Sequence, residues 1–349
     1  MAEIIDVLPR HRFDQAALET YLAEALPEAQ LPITIRQFQG GQSNPTFLLT
    51  AQAGRRYVLR KKPPGDILPS AHAVEREYTV MHALGPAGVP VPRMRLLCED
   101  PSVIGTAFYV MDYVDGRVLI DIRLSDLPKA DRAAYYLAMA DGLAALHRVD
   151  WRAAGLQGFG KPDAYVARQV SRWTRQYLAS APEPNDDMAQ LMEWLAANIP
   201  PDEDAVIAHG DYRLGNLMFA PDRPALLAIL DWELSTIGHP LADLAYLCSF
   251  YRLPHDGAPF RGLGRLDLAE LGLPDEAALV ARYCQAVGRA CPPPNWNFFL
   301  AFSLFRSAAI GQGVYDRSQR GNAADARAHM YMDMVRGCAR IGWDVARSG

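Results

Sequence analysis

Between residues 207 and 233 the chain alternates short apolar runs with a small set of polar groups, and that alternation restricts the local fold to a strand, a tight loop and a hairpin. Ile207-Ala208 and Leu217-Met218-Phe219 have the length of buried strands, and Ala228-Ile229-Leu230 supplies a third apolar run. The loop between the first two reads His209-Gly210-Asp211-Tyr212-Arg213-Leu214-Gly215-Asn216, and the third run ends on Asp231-Trp232-Glu233. Phosphoryl transfer needs such a set: one carboxylate to orient and deprotonate a hydroxyl, and an amide plus a carboxylate to hold Mg2+ on a triphosphate. Asp, Asn and Gly are also turn formers, so an ordinary loop is the competing reading. The bracketing of all these polar groups by apolar, strand-like segments favours the chemical one.

Asp211, four variable residues and then Asn216 fit the kinase catalytic-loop spacing, with Asp231 where a metal-binding Asp follows a short hairpin. His209-Gly210-Asp211 through Asn216, then Leu230-Asp231-Trp232-Glu233, resembles the catalytic and metal-binding segments of the aminoglycoside phosphotransferase and choline kinase family. Gly40-Gly41-Gln42-Ser43-Asn44-Pro45-Thr46 and the run from Tyr57 to Gly65 are similar to the subgroup related to the phosphotransferase-like domain fused to acyl-CoA dehydrogenases. The resemblance covers most of the chain, with its motifs in the family's order. It implies a bilobal protein kinase-like fold, ATP (with GTP as the alternative donor) and Mg2+ as cofactors, and a small-molecule hydroxyl as acceptor.

Hydropathy patterning reads as the same α+β class. Phe13–Leu26 has apolar residues at helical spacing and is closed by Pro27; Ile33–Phe38 alternates like a strand; Phe47–Thr50 and Arg56–Arg60 flank the turn Ala53-Gly54. A helix is expected over Ala71–Leu84 and a strand pair over Val103–Val114, turning near Gly105. Helices then dominate: Asp131–His147, Asp163–Ser180, Asp187–Asn198, one starting at Pro240, Asn295–Tyr315 and Ala323–Arg340. A small antiparallel-sheet N-terminal lobe with one inserted helix (residues 1–113), followed by a larger, mostly helical C-terminal lobe (114–349), accommodates this order, with the hinge at Met111-Asp112-Tyr113-Val114.

On the nucleotide side, Gly40, Gly41, Gln42, Ser43 and Asn44 lie between two expected strands, where glycines let the backbone approach phosphates and Ser and Asn add polar groups. No Gly-Lys-Ser/Thr follows, so this is not a P-loop, and a plain hairpin turn is the simpler reading. Kinase folds also use a strand cation paired with a helix Glu. Strand alternation puts Val58, Arg60 and Lys62 on one face, with Tyr57, Leu59 and Lys61 on the other. The resemblance favours Arg60 over Lys61, although a Lys is usual there, and favours Glu77 over Glu75 as its partner. Met111, Tyr113 and Val114 offer an apolar slot for a nucleobase, with main-chain groups at Asp112 and Val114.

For the chemistry, Asp211 is the candidate that accepts or orients the acceptor proton, and Asn216 and Asp231 are the candidate Mg2+ ligands. The resemblance adds Glu233 as an alternative carboxylate ligand. His209 reads as scaffold, and Asp243 as an anchor for the loop through backbone N–H groups. Trp173, Trp232, Tyr246, Tyr251, Phe302 and Phe305 are candidates for the acceptor pocket. An apolar, aromatic stretch over Asn295–Phe305, followed by Arg306, Arg317 and Arg320, suits an apolar or anionic acceptor rather than a polycation; the resemblance points to a hydroxylated acyl group or its CoA thioester. A catalytically silent nucleotide-binding module is the second reading, kept open by the Arg at the strand position.

Charge and composition remove other classes. Across 349 residues, 40 acidic against 35 basic side chains give a net charge of −5, which supplies no field for nucleic acid or an anionic membrane surface. The five cysteines are scattered without a C-x-x-C pair, so no zinc site or disulfide framework is indicated. No run reaches the roughly 18 apolar residues of a membrane span. The acidic Met1–Asp6 start has no long apolar core, and the expected compartment is the cytoplasm. Oligomeric state is not encoded in any feature of the sequence.

Overall fold

Side-chain caps set many of the element boundaries in the computed structural model, which describes residues 3–39, 44–63, 73–181, 184–201, 204–256, 261–319 and 328–348. The strands are β1 (Ile4–Ile5), β2 (Ile33–Phe38), β3 (Thr46–Ala51), β4 (Arg56–Lys61), β5 (Met94–Cys98), β6 (Phe108–Asp112), β7 (Arg117–Val118), β8 (Val206–Ala208), β9 (Leu217–Phe219), β10 (Leu226–Ile229) and β11 (Thr236–Gly238). The helices are α1 (Gln15–Ala25), α2 (Val74–Leu84), α3 (Pro101–Ile104), α4 (Lys129–His147), α5 (Tyr165–Ser180), α6 (Asp186–Ala197), α7 (Pro240–Ser249), α8 (Leu268–Leu271), α9 (Glu276–Val287), α10 (Trp296–Gln319) and α11 (Ala328–Arg347). Asp14, Asn185, Asp267 and Asp275 each accept a backbone N–H from the first turn of α1, α6, α8 and α9, satisfying donors that a helix start leaves open.

The chain divides into two compact units. The first comprises Met1–Val118, Arg152–Phe159 and Asn216–Ser235; the second comprises Leu119–Trp151, Gly160–Gly215 and Thr236–Gly349. In the first unit an antiparallel sheet runs β1-β2-β3-β4-β6-β5. One face of it, with Phe47, Leu49, Tyr57, Leu59, Phe108 and Val110, packs on Leu18 and Leu22 of α1. Strands β7, β9 and β10 form a second, three-stranded sheet. In the second unit α10 packs on α5, α6, α7 and α11, α4 packs on α9, and β8 pairs with β11.

The strand pair expected over Val103–Val114 is corrected. Its first strand lies earlier, at β5, and residues 101–104 are a helical turn instead. Asp100 accepts the Ser102 N–H at 2.8 Å and Pro101 occupies the first helical position, while Gly105, at φ 85°, ends the turn. Local capping thus overrides the strand preference of Val103 and Ile104. The helix expected over Ala71–Leu84 is described from Val74, and the Gly- and Pro-rich stretch between Arg252 and Pro274 contains the short α8.

Gly116 is needed for a close approach. A Cβ there would lie 2.6 Å from Met218 Cγ and 2.8 Å from the Phe219 carbonyl oxygen. Because the carbonyl belongs to the β7–β9 ladder, it cannot move without breaking the Arg117–Phe219 pairing. Gly116→Ala is therefore expected to cost about 1–3 kcal/mol, the scale of overpacking, read as a lower denaturation midpoint.

Candidate functional site

In the first unit, polar groups converge on a mainly apolar cavity of about 250 Å3. Val58, Met111, Tyr113, Val114, Met218 and Leu230 form apolar parts of its wall, and Arg60 and Asp231 bring charge to it. The alternation of β4 explains why Arg60 arrives there: Val58 and Arg60 share the cavity face, and Tyr57 and Leu59 turn into the core. Lys61 follows the core-facing residues and is buried. Its Nζ donates to the Lys62 carbonyl at 3.4 Å, and burial lowers its pKa. The structure therefore brings Arg60, and not Lys61, to the cavity.

Glu77, on α2, is fully buried and held from three sides. Asn44 Nδ2 donates to Oε1 at 2.8 Å, Tyr109 Oη donates to Oε2 at 3.0 Å, and Arg60 Nε lies 3.1 Å from Oε2. The last contact is an ion pair whose N–H is not aimed along it. The β4–β6 register places Tyr109 opposite Arg60, which brings the phenol to the pair. Burial pushes the Glu77 carboxyl above its ordinary range, against the pull of Arg60 and the two hydrogen bonds. Burial also opposes the Arg60 charge, but Tyr109, Glu77 and Asp231 hold that group above its usual value. Lys62 pairs instead with Glu75.

Asp112 borders the cavity, yet its carboxylate is taken by Arg95 through a bidentate pair at 2.6 and 2.7 Å. The Asp112 and Tyr113 N–H groups donate to the carbonyls of Arg93 and Arg56. Of the glycine-rich segment only Asn44 is placed, on Glu77; Gly40, Gly41, Gln42 and Ser43 lie outside the described residues.

The β9–β10 hairpin brings the two candidate metal ligands to one end. Its last ladder pair joins Leu217 to Ile229, and the Leu230 N–H then donates to the Asn216 carbonyl at 2.8 Å, so Asn216 and Asp231 both stand just beyond the strands. Asp231 has φ 65°, a left-handed conformation that Asp adopts more readily than most residues. Its neighbours are pinned: Trp232 is buried with Nε1 donating to the Ile229 carbonyl at 2.9 Å, and Ser235 Oγ donates to the Trp232 carbonyl at 2.6 Å. The Asp231 side chain meets Arg60 Nη2 at 3.3 Å, while Glu233 is exposed. Two oxygen donors on one hairpin end suit Mg2+, which takes one or two carboxylates and leaves its other positions to phosphate and water. Among the described residues no group of three or more His, Cys, Asp or Glu forms a closed metal cage.

In the second unit, Asp211 follows Gly210, whose φ of 84° turns the chain sharply after β8. Tyr246 Oη donates to Asp211 Oδ1 at 2.6 Å and Arg213 Nε lies 3.3 Å from Oδ2. His209 is buried and serves the loop, its Nδ1 accepting the Asp211 N–H at 3.2 Å. Asp243 grips the same loop, accepting the His209 and Gly210 N–H groups at 2.6 and 2.8 Å, with His147 Nε2 at 3.4 Å. Burial alone would raise the Asp243 carboxyl, but His147, His209 and the Gly210 amide bring it below its ordinary value. Arg306, from α10, donates to the Gly210 carbonyl at 2.6 Å and lies near the rings of Tyr246 and Trp173.

Tyr246 as a partner of Asp211 was not among the sequence-based roles. The readable signal is its spacing from Asp243: residues three apart on a helix share a face, and both reach the same loop. A smaller slot of about 60 Å3 in this unit is lined by Tyr136, Met139, Arg213, Leu214, Leu247 and Tyr251, among others. Trp232, Phe302 and Phe305, expected in an acceptor pocket, are instead core residues at 1%, 2% and 0% exposure. No helix among the described residues is long and apolar enough to cross a membrane.

Comparison with known proteins supplies independent findings. The model of the phosphotransferase enzyme family matches residues 34–280. Acyl-CoA dehydrogenase family member 11 of Gallus gallus is 46% identical over 353 residues, covering 98% of this chain but 44% of that protein. The chain thus spans less than half the length of this relative. The crystal structure of a presumed aminoglycoside phosphotransferase from Ralstonia eutropha superposes with a TM-score of 0.87 at 46% identity, covering 97% of this chain and 99% of the other. Choline kinase from Cryptosporidium parvum, at 14% identity and a TM-score of 0.62 over 95% of this chain and 98% of its own, shares the kinase-like fold.

Proposed function

Because the chain belongs to the phosphotransferase enzyme family, a family of small-molecule kinases, we propose that it transfers the γ-phosphate of ATP to a hydroxyl of a small molecule, with a hydroxylated acyl group or its CoA thioester as acceptor. The observation that carries this reading is the hairpin end where Asn216 and Asp231 both stand just beyond the paired strands, with Asp231 on the wall of a cavity that Arg60, ion-paired to the buried Glu77, also lines. In this assignment Met111, Tyr113 and Val114 receive the nucleobase, Arg60 carries the positive charge toward the phosphates, and Asn216 and Asp231 offer oxygen to Mg2+. Glu233 stands by as a further carboxylate. When bound there, Mg2+ neutralises phosphate charge and orients the triphosphate. Asp211 orients the acceptor hydroxyl and takes its proton, and Tyr246 fixes the carboxylate rotamer that does so. The apolar slot edged by Arg213 suits an acceptor with an apolar arm and negative charge, and the name of the Gallus gallus relative is in line with an acyl-CoA-type metabolite.

Thermal-shift titration with ATP and Mg2+ tests the donor half, since a ligand selective for the folded state raises its melting temperature. Incubation with ATP, Mg2+ and a panel of hydroxyacyl-CoA thioesters and free hydroxy acids, followed by mass spectrometry, tests the acceptor half through the mass of one added phosphate. Stabilisation plus phosphate on a hydroxyacyl compound is the expected result. Absence of both overturns the reading.

A further inference from the structure

We propose that Arg60 positions the Asp231 carboxylate, one guanidinium spanning the buried Glu77 and the cavity-facing Asp231, so that Arg60 sets how strongly a divalent cation reinforces nucleotide binding. This rests on the reading above that Asp231 is a Mg2+ ligand, and it adds a role for the strand cation distinct from phosphate contact.

The geometry forms a chain of support that begins in the core. Asn44 and Tyr109 fix the two oxygens of Glu77, whose side chain is 1% exposed. Glu77 Oε2 in turn lies 3.1 Å from Arg60 Nε as an ion pair, and Arg60 is itself largely buried, at 17% exposure. The far end of the same guanidinium, Nη2, reaches Asp231 Oδ1 at 3.3 Å. Asp231 needs such a support. Its backbone is left-handed at φ 65°, a conformation worth about 1–3 kcal/mol of strain that persists only where the surroundings impose it. The flanking Leu230 and Trp232 are held by hydrogen bonds to Asn216 and Ile229, so the strained residue projects its side chain toward Arg60.

A lysine could not do this. Its ammonium is a single point charge on a flexible stem, whereas the guanidinium presents separate donors in a rigid fork and can address two carboxylates lying in different directions. The Arg where kinases usually carry Lys is then a specific adaptation. One positive charge shared by two carboxylates also leaves the local sum negative, which favours a divalent cation at the exposed one. Groups that orient metal ligands from behind typically change metal affinity by about 10–100-fold when replaced.

The test measures ATP binding to the full chain by calorimetry, with and without Mg2+. In the native protein Mg2+ strengthens ATP binding. Arg60→Lys is expected to weaken ATP more with Mg2+ than without, losing about 10–100-fold of the Mg2+-dependent gain beyond whatever metal-free affinity it loses. Asp231→Asn should lose the same gain, and the double variant should lose no more, because the two residues act as one unit. Ligand-free melting curves check folding, and the titrations are run below the lowest melting temperature so that every variant is folded. Arg60→Lys weakening ATP equally with and without Mg2+ would make Arg60 a plain phosphate contact and overturn the inference. Retention of the full Mg2+ gain in Asp231→Asn refutes the metal-ligand assignment itself, and with it this inference.

Discussion

Asp211→Ala should lower phosphate transfer by about 10²–10⁴-fold, the usual contribution of a positioned general base, while ATP affinity stays close to native. In the proposed role the carboxylate acts through its position: Oδ1 accepts from Tyr246 at 2.6 Å and Oδ2 from Arg213 Nε at 3.3 Å, contacts that fix its rotamer. Nucleotide affinity should survive because Asp211 is not among the residues that line the 250 Å3 cavity. Stability should fall by no more than about 1–3 kcal/mol, the cost of leaving the Tyr246 hydroxyl without its acceptor. The measurement is a steady-state assay with the acceptor found by mass spectrometry, alongside ATP titration of the same preparation. Full transfer by Asp211→Ala would remove the residue from the chemistry.

What could be read in the sequence was what depends on local pattern. Period-two alternation separates Arg60 from Lys61, and the structure puts the first on the cavity and the second in the core. The apolar runs around Asp211, Asn216 and Asp231 announce a strand, a loop and a hairpin, and β8, β9 and β10 lie there. The kinase-like fold follows from the order of these elements together with the motif resemblance, and the structural comparisons bear it out. Longer-range pairings were less legible. Tyr246 meets Asp211 across 35 positions of sequence, a contact that exists only once α7 packs beneath the loop. The Arg95 pair on the Asp112 carboxylate, across 17 positions, likewise had no signal in the local pattern. The Val103–Val114 reading failed for a different reason: β-branched residues suggested a strand where an Asp cap and a Pro at the first helical position had already specified a turn.

Asp243→Ala should be the most destabilising single change around the Asp211 loop, lowering unfolding free energy by about 2–6 kcal/mol. Asp243 is 1% exposed, and its two oxygens accept the backbone N–H groups of His209 and Gly210 together with a contact from His147. Removing the carboxylate strands two buried amides, each costing about 1–3 kcal/mol. The same site predicts an acid sensitivity of defined sign. The folded carboxyl lies below its ordinary value, so folding favours the charged form. That stabilisation is complete above the unfolded pKa of about 3.9 and is lost as pH falls through the lower folded value. Denaturant unfolding should therefore show the native protein losing this contribution below about pH 4, and Asp243→Asn, which cannot titrate, should show a flatter acid limb from a lower starting stability. An Asp243→Ala protein with native midpoints throughout would mean that the loop is held by Arg306 on the Gly210 carbonyl and Tyr246 on Asp211 instead, and that the buried carboxylate is dispensable to the fold.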